Sequence, residues 1–272
     1  MIPKKCHLYW DKSPMAQLNV LTVVSFHKYN PDWEIVIYLT KQPYYELGKN
    51  IYVPNYTGKD YFYKLSTLDY VKIVEIDLTE WGINKDIPAC MSSDIFRRKI
   101  LYEQGGVYSD FDTVWLRPIE YLSNVDCIGN PIDFESLVCF YEFTHGFHNV
   151  SNLISEVSSL YVASLIEEEK KVQPPYGHQD FGCDLLCRKY PDWESVVSRF
   201  PRMLAIKYET FYPYSTYHME RLFIENDLTP LKNKNVMGIH WFNGNDKSVN
   251  YVNQDKFTDC SMTSILKVEG YI

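Results

Sequence analysis

Residues 91–120 read MSSDIFRRKILYEQGGVYSDFDTVWLRPIE, and the fold class turns on how this stretch divides. Its first half has helical character: Ser92 and Ser93 are N-cap candidates, 94–104 is a good helix-forming interior, and Gly105-Gly106 stands where a helix should stop. Val107-Tyr108 then opens a short strand that runs out at Asp110-Phe111-Asp112. Val114, Trp115 and Leu116 resume an apolar stretch closed by Pro118. Extended side chains alternate, so Asp110 and Asp112 project to one side with Phe111 between them. Two carboxylates so placed repel each other unless a cation separates them. Hard oxygen ligands with room left for water and phosphate oxygens suit Mg²⁺ or Mn²⁺. An isolated Asp-x-Asp is also read as an ordinary solvated turn.

Upstream, 2–10 is a strand candidate with Leu8 and Trp10 on one side and His7 and Tyr9 on the other, followed by a turn at 11–14. Helical spacing carries Met15, Leu18, Val23 and Phe26 to a stop at Asn30-Pro31, and 33–39 gives a second strand. This strand–helix–strand opening predicts a parallel sheet in an α/β domain. Residues 40–65, tyrosine-rich and broken by Pro43, Gly48, Pro54 and Gly58, read as a surface insertion. A third strand is expected at 71–76 and a connection at 77–88. Downstream, 125–128 and 137–141 are strand candidates. Residues 150–171 read as one long helix with apolar Leu153, Ile154, Val157, Leu160 and Tyr161.

The chain has 272 residues, enough for one large domain with a substantial core. A net charge of −8 argues against nucleic acid or an anionic membrane surface as partner, because both require a basic footprint. The 23 tyrosines and 6 tryptophans supply rings for packing and for stacking on bases and sugars. Charged residues interrupt the first twelve positions and no apolar run approaches the ~18 residues of a membrane span, so a cytoplasmic location is expected. Seven cysteines without a Cys-x-x-Cys read as reduced thiols. In that setting the acceptor patterns at Asn55 and Asn149 carry no glycan.

The constellation Asp94-x-x-Arg97, then Tyr108-x-Asp110-x-Asp112 beginning eleven positions beyond Arg97, resembles the DXD region of glycosyltransferase family 32. It is similar as well to that of the clostridial-toxin glucosyltransferases and of capsular and mannosyl transferases. The opening IPKKCHLYW and the later YNPDWEIVIY resemble the start of the same family. The resemblance implies a GT-A type fold, Rossmann-like, with a mixed, mainly parallel sheet flanked by helices. It implies a single domain over 1–272, with a donor half at 1–120 and an acceptor half at 121–272 that ends in a metal and phosphate loop. It further implies a nucleotide-sugar site. Asp94 and Arg97 would contact donor sugar and nucleotide, Tyr108 would border the nucleoside, and Asp110 and Asp112 would handle ribose and metal. Trp10, with Tyr9 beside it, would be the base platform, although Asp11-Lys12 stand where relatives tend to carry glycines. The competing readings are a sheet-packing tryptophan and a surface bridge from Asp94 to Arg98 one turn on.

Residues 176–186, YGHQDFGCDLL, resemble the Gln-Asp motif that retaining glycosyltransferases place beneath the donor sugar at a helix start. Gln179 and Asp180 are therefore expected at the sugar, with Asp180 able to shield a developing cation or simply to cap the helix. His178 with Cys183 and Cys187 lacks a fourth ligand at zinc spacing. Within 238–248, GIHWFNGNDKS, His240 looks like the C-terminal metal ligand and Lys247 like the diphosphate contact. The reading is a Mn²⁺- or Mg²⁺-dependent transferase that moves a sugar from a UDP-sugar, or a GDP-sugar, to a glycan or glycoprotein, with retention by front-face attack. Double displacement through Asp180 or Glu142 is the alternative mechanism. Two rival functions stand beside it. A haloacid-dehalogenase-like phosphohydrolase fits Asp110-Phe111-Asp112-Thr113-Val114, but that motif normally lies in the first strand and no later Gly-Asp-x-x-x-Asp accompanies it. A catalytically inactive carbohydrate-binding module would keep the fold without turnover.

Overall fold

The computed structural model of the protein describes residues 1–41, 56–84, 86–142, 145–149, 152–177, 179–254 and 258–272, with backbone alone at 141–142 and 145–149. Its axis is β1 (Lys5–Trp10), which is followed by α1 (Gln17–Tyr29), β2 (Glu34–Thr40) and β3 (Val71–Ile76). Then come α2 (Ala89–Gln104), β4 (Gly106–Ser109), β5 (Thr113–Trp115), β6 (Cys127–Ile128), β7 (Ser136–Glu142), β8 (His145–Asn149) and β9 (Asn152–Ser155). The rest is α3 (Leu160–Glu169), α4 (Cys183–Lys189), α5 (Trp193–Val197), β10 (Met203–Lys207), α6 (Glu220–Phe223), β11 (Gly238–His240), α7 (Asp246–Val252) and α8 (Ser261–Val268).

The main sheet runs β3-β2-β1-β4-β9-β7-β10-β6, with β8 added to β7. β1 is parallel to both β2 and β4, β2 to β3, and β7 to β10, whereas β9, β8 and β6 run antiparallel to their neighbours. The expected α/β class, a mixed and mainly parallel sheet with flanking helices, is what the chain adopts. β1 and β2 are buried along nearly their whole length, as strands covered on both faces must be. Alternation explains the two coats: Cys6 and Leu8 pack with Val20, Val23 and Phe26 of α1. Tyr9 turns the other way and packs with Ile95, Phe96 and Ile100 of α2. Each such fully buried side chain contributes about 1.5–3 kcal/mol. A third cluster joins the outer side of α1 to β11, α6 and α8, and a fourth packs β7 and β10 against α3, α4 and α5.

Two expectations are corrected. The long helix expected over 150–171 is, from 152 on, a strand, β9, then a turn, then the shorter α3. Residues 152–155 satisfy the free edge of β4, from Gly106↔Ser155 to Ser109↔Asn152, and Ser158 at φ +58 redirects the chain before the Ser159 side chain caps α3. Tertiary pairing here overrides helical spacing. Second, α2 begins at Ala89 behind Pro88, so Ser92 and Ser93 lie inside it and serve other partners. The strand expected over 125–128 contracts to β6. The insertion at 40–65 lies mostly outside the described residues, as do Asn55 and Ser151 of the acceptor patterns. None of the seven cysteines is in a disulfide in the structure. No helix among the described residues is long and apolar enough to cross a membrane.

Candidate active site

The site is built at the end of β4. α2 stops at Gly105 (φ +63), and Gly106 (φ +98) follows, where a Cβ would meet Lys5 O at 2.4 Å. Only glycine lets the chain turn and lie against β1 so closely. β4 then aligns with β1 as Cys6↔Val107 and His7↔Tyr108, and ends at Ser109. In the turn that follows, Phe111 goes inward and packs edge-on against Trp10, ring centroids 5.1 Å apart. Its carbonyl accepts hydrogen bonds from Asn19 Nδ2 (3.0 Å) and Thr22 Oγ1 (2.8 Å), two buried polar side chains on α1. With Phe111 anchored inward, Asp110 and Asp112 face outward together.

A second, two-stranded sheet brings in the histidine. β11 pairs antiparallel with β5 so that His240 lies opposite Thr113, and Trp241 N–H donates to Asp112 O at 2.8 Å. Phe242, at φ +49, bends the chain back, a conformation costly for a bulky residue. The bend lets Phe242 N–H reach His240 Nδ1 (3.3 Å) and Asn243 N–H reach Asp112 Oδ2 (2.9 Å). His240 Nε2 lies 3.0 Å from Asp112 Oδ1, yet that oxygen is buried without a hydrogen-bond partner among the described residues. One ligand atom each from Asp110, Asp112 and His240 falls within 4.8 Å of the others. Two carboxylates and an imidazole grouped this closely, with one carboxylate oxygen buried and unsatisfied, fit a divalent cation such as Mg²⁺ or Mn²⁺.

Arg97 completes the electrostatics. Its guanidinium donates to Asp110 Oδ2 from Nη1 (3.2 Å) and to Asp110 Oδ1 from Nη2 (3.0 Å), and Nη2 also lies 2.9 Å from Asp94 Oδ1. It rests 4.7 Å from the centroid of the Tyr108 ring, whose hydroxyl shares a 2.7 Å hydrogen bond with Ser93 Oγ. Asp94 therefore pairs with Arg97 rather than with Arg98. Burial pushes the Asp110 carboxyl up against the pull of Arg97, and the charge of Asp112 adds to the push. Burial acts on Asp112 too, but His240 and the Asn243 N–H hold it below its usual range. One arginine does not fully compensate the two carboxylates, which is the balance a cation would complete.

The remaining sequence candidates divide. Gln179 Oε1 accepts from Cys183 N–H at 3.1 Å and so caps α4, while a Cβ built on Gly182 would stand 2.4 Å from that oxygen and 3.1 Å from Asp94 Oδ2. Gln179, Gly182 and Asp94 are thus packed together, although 85 positions separate Gln179 from Asp94. Asp180 does not cap the helix; its Oδ2 accepts from Gly177 N–H at 2.7 Å, and Arg188 approaches Oδ1 at 3.9 Å. Trp10 ends β1 half-buried, its indole donating to Ser13 O at 2.8 Å. Tyr9 is buried beneath the sheet, packed on Phe96. Lys247 sits exposed in the first turn of α7, where its charge acts on Glu220. His178 and the side chain of Glu142 lie outside the described residues. Ser93, Asn243, Gly182, Asn19 and Thr22 take part without having been singled out as site residues. Ser93 carried a capping signal instead, and the others carry none without the fold. A groove of about 970 Å³ lined by Trp81, Lys99, Tyr102, Leu160 and Phe200 lies elsewhere and includes none of the residues above. Glu80, Glu103 and Glu167 also line it, but among the described residues only Asp110, Asp112 and His240 group closely enough to hold a metal ion.

Residues 17–135 match the family described as glycosyltransferase sugar-binding region containing DXD motif. The match contains Asp94, Arg97, Tyr108, Asp110 and Asp112, and stops short of Gln179 and His240. No curated protein matches the chain. Among solved structures the chain is similar to the PaToxG glycosyltransferase at 14% identity and TM-score 0.47, over 74% of this chain and 70% of that one. It is similar to the ligand-free glycosyltransferase domain from the YGT toxin at 8% identity and TM-score 0.46, over 75% and 80%. It is similar to the galactosyltransferase LgtC, solved with donor and acceptor sugar analogues, at 11% identity and TM-score 0.45, over 88% and 87%.

Proposed function

We propose that the chain is a glycosyltransferase, as its match at 17–135 to a DXD-containing sugar-binding region supports, and that it transfers a sugar from a nucleotide diphosphate donor in a divalent-metal-dependent reaction. The single observation that carries this reading is the convergence of Asp110, Asp112 and His240 beside the Asp94–Arg97–Asp110 ion-pair chain. In this reading the domain is of GT-A type, with the donor handled chiefly by 1–120 and the acceptor, a glycan or glycoprotein, by 121–272. A UDP-sugar is favoured over a GDP-sugar.

Asp110, Asp112 and His240 would hold Mn²⁺ or Mg²⁺, and the bound cation would supply charge neutralisation for a departing diphosphate. The protein's own groups do the rest. Arg97 fixes Asp110 and Asp94 in one orientation, and its position over Tyr108 keeps the guanidinium from turning away. Asp94 and Gln179 face a common space in which sugar hydroxyls find acceptors and a donor. Trp10 offers a half-buried ring for the base, with Tyr9 packed beneath the sheet at the same strand end. Lys247, on an exposed helix start, is free to swing toward a diphosphate. Asp180, held by the Gly177 N–H, presents a carboxylate beside the sugar that favours a developing positive charge at the anomeric carbon. Retention of configuration by front-face attack fits this arrangement.

The test is release of nucleoside diphosphate from a panel of UDP- and GDP-sugars with Mn²⁺ or Mg²⁺, comparing the native chain with Asp112→Asn. Turnover of one donor that requires the metal and falls about 100-fold or more in the variant is expected. A native chain that neither turns over nor binds any of these nucleotides refutes the proposal and leaves a non-catalytic module. Metal-dependent cleavage of simple phosphomonoesters instead would point to the phosphohydrolase.

A further inference from the structure

Arg97 and Arg98 are neighbours on α2, about 100° apart around its axis, and they serve different ends. Arg97 turns to the carboxylates of the strand end. Arg98 is 1% exposed and turns toward the segment that carries Gln179. Its Nε donates to Glu169 Oε2 at 2.9 Å, on the last residue of α3, and its Nη1 donates to Phe181 O at 2.6 Å. Its Nη2 is buried without a hydrogen-bond partner among the described residues, so the two bonds define the guanidinium's anchorage. Phe181 immediately precedes Gly182, the residue wedged between Gln179 and Asp94.

We propose that Arg98, held by Glu169, is a positioning residue for the donor sugar: by fixing the Phe181 carbonyl it keeps Gly182, and with it Gln179, in register against Asp94. This rests on the reading that Asp94 and Gln179 hold that sugar. A buried guanidinium bonded to both a carboxylate and a backbone carbonyl is a stiff link, since neither partner finds replacement water. α2 thereby fixes both walls of the site from adjacent residues, the metal-side wall through Arg97 and the sugar-side wall through Arg98. Nucleotide and cation contacts lie on the first wall, so loosening the second should alter the sugar step alone.

Removing Arg98 by itself leaves the buried Glu169 carboxylate with only Lys99, 3.8 Å away, as counter-charge and endangers folding. The double variant R98M/E169Q avoids that and carries the test. Two measurements are compared with the native chain: amide hydrogen exchange across 179–183, and donor hydrolysis alongside nucleoside diphosphate affinity in Mn²⁺. Expected are exchange about tenfold faster at 179–183 with little change in β1 and β4, kcat down about 10- to 100-fold, and diphosphate affinity within about twofold. A merely structural role would lower the unfolding midpoint without this split. Unchanged exchange at 179–183, or kcat and diphosphate affinity falling together, overturns the proposal. A native chain inert on every donor, with exchange still faster in the variant, overturns the transferase reading and leaves the anchor standing.

Discussion

Gly182→Ala isolates the sugar-side wall with one carbon atom. Gly182 has a negative φ of −98, so alanine meets no left-handed penalty there. The cost is steric. The added Cβ would stand 2.4 Å from Gln179 Oε1, where ordinary contact begins at 3.4 Å, so the amide oxygen must retreat by about 1 Å (3.4 − 2.4). It is the far end of a flexible side chain and can do so cheaply. The retreat loses the 3.1 Å bond from Cys183 N–H, worth about 1 kcal/mol. Net stability should fall by about 1 kcal/mol. Catalysis should change far more, because a displacement of about 1 Å at a reacting centre costs about 100-fold, equivalent to about 2.7 kcal/mol of transition-state stabilisation. The assay pairs denaturant unfolding with diphosphate release from the accepted donor in Mn²⁺. A folded variant that keeps turnover within about threefold refutes the placement of Gln179 and Asp94 at the sugar.

Two further outcomes follow from the scaffold. His7 is buried between Gly105 O (2.9 Å) and Tyr38 OH (3.1 Å), and burial lowers its pKa from 6.5 to about 4. The folded chain keeps it neutral while the unfolded chain takes a proton below 6.5, so stability present above that pH is lost as pH falls toward 4, by roughly 3 kcal/mol. Urea midpoints measured between pH 7 and 4 should fall steeply in the native chain and less in His7→Gln, and parallel curves would contradict this. On α1, Thr22→Val leaves Phe111 O with one donor and should cost about 1 kcal/mol, whereas Asn19→Leu also strips Ala16 N–H of its acceptor and should cost about 2–3 kcal/mol. Equal losses in chemical denaturation would show that the second bond does not matter.

The parts of the molecule legible in the sequence are those decided locally. β3 forms over the expected residues, and α2 stops at Gly105 because the turn requires positive φ. The outward pairing of Asp110 and Asp112 also follows from alternation around Phe111. The start of α2 was misplaced because serines inside a helix look like caps until their partners are known, and Ser93 spends its hydroxyl on Tyr108. The strand at 152–155 was hidden because its apolar residues also fit a helical face, and only the free edge of β4 selects the extended form. The sequence singles out His240 by type and company, whereas its place beside Asp112 comes from the pairing of β11 with β5, a contact across more than a hundred residues. Lys247 is exposed in the first turn of α7, where its charge acts on Glu220, a neighbour that its own stretch of sequence does not reveal. Gly182 and Arg98 carry no local signal; each matters only through residues distant in sequence.

The ribbon of β5 and β11 has a temporal consequence. Asp112 and His240 are separated by 128 positions (240 − 112), so the acidic half of the cluster leaves the ribosome long before its imidazole. Synthesis at about 5–20 residues per second sets a gap of roughly 6–25 seconds between the two. During that interval β1 to β4 and the neighbouring helices can assemble, because their pairings are nearer in sequence. A nascent chain therefore carries both carboxylates for seconds before the imidazole and the backbone donors that hold Asp112 are made. Completion of the cluster waits on β11.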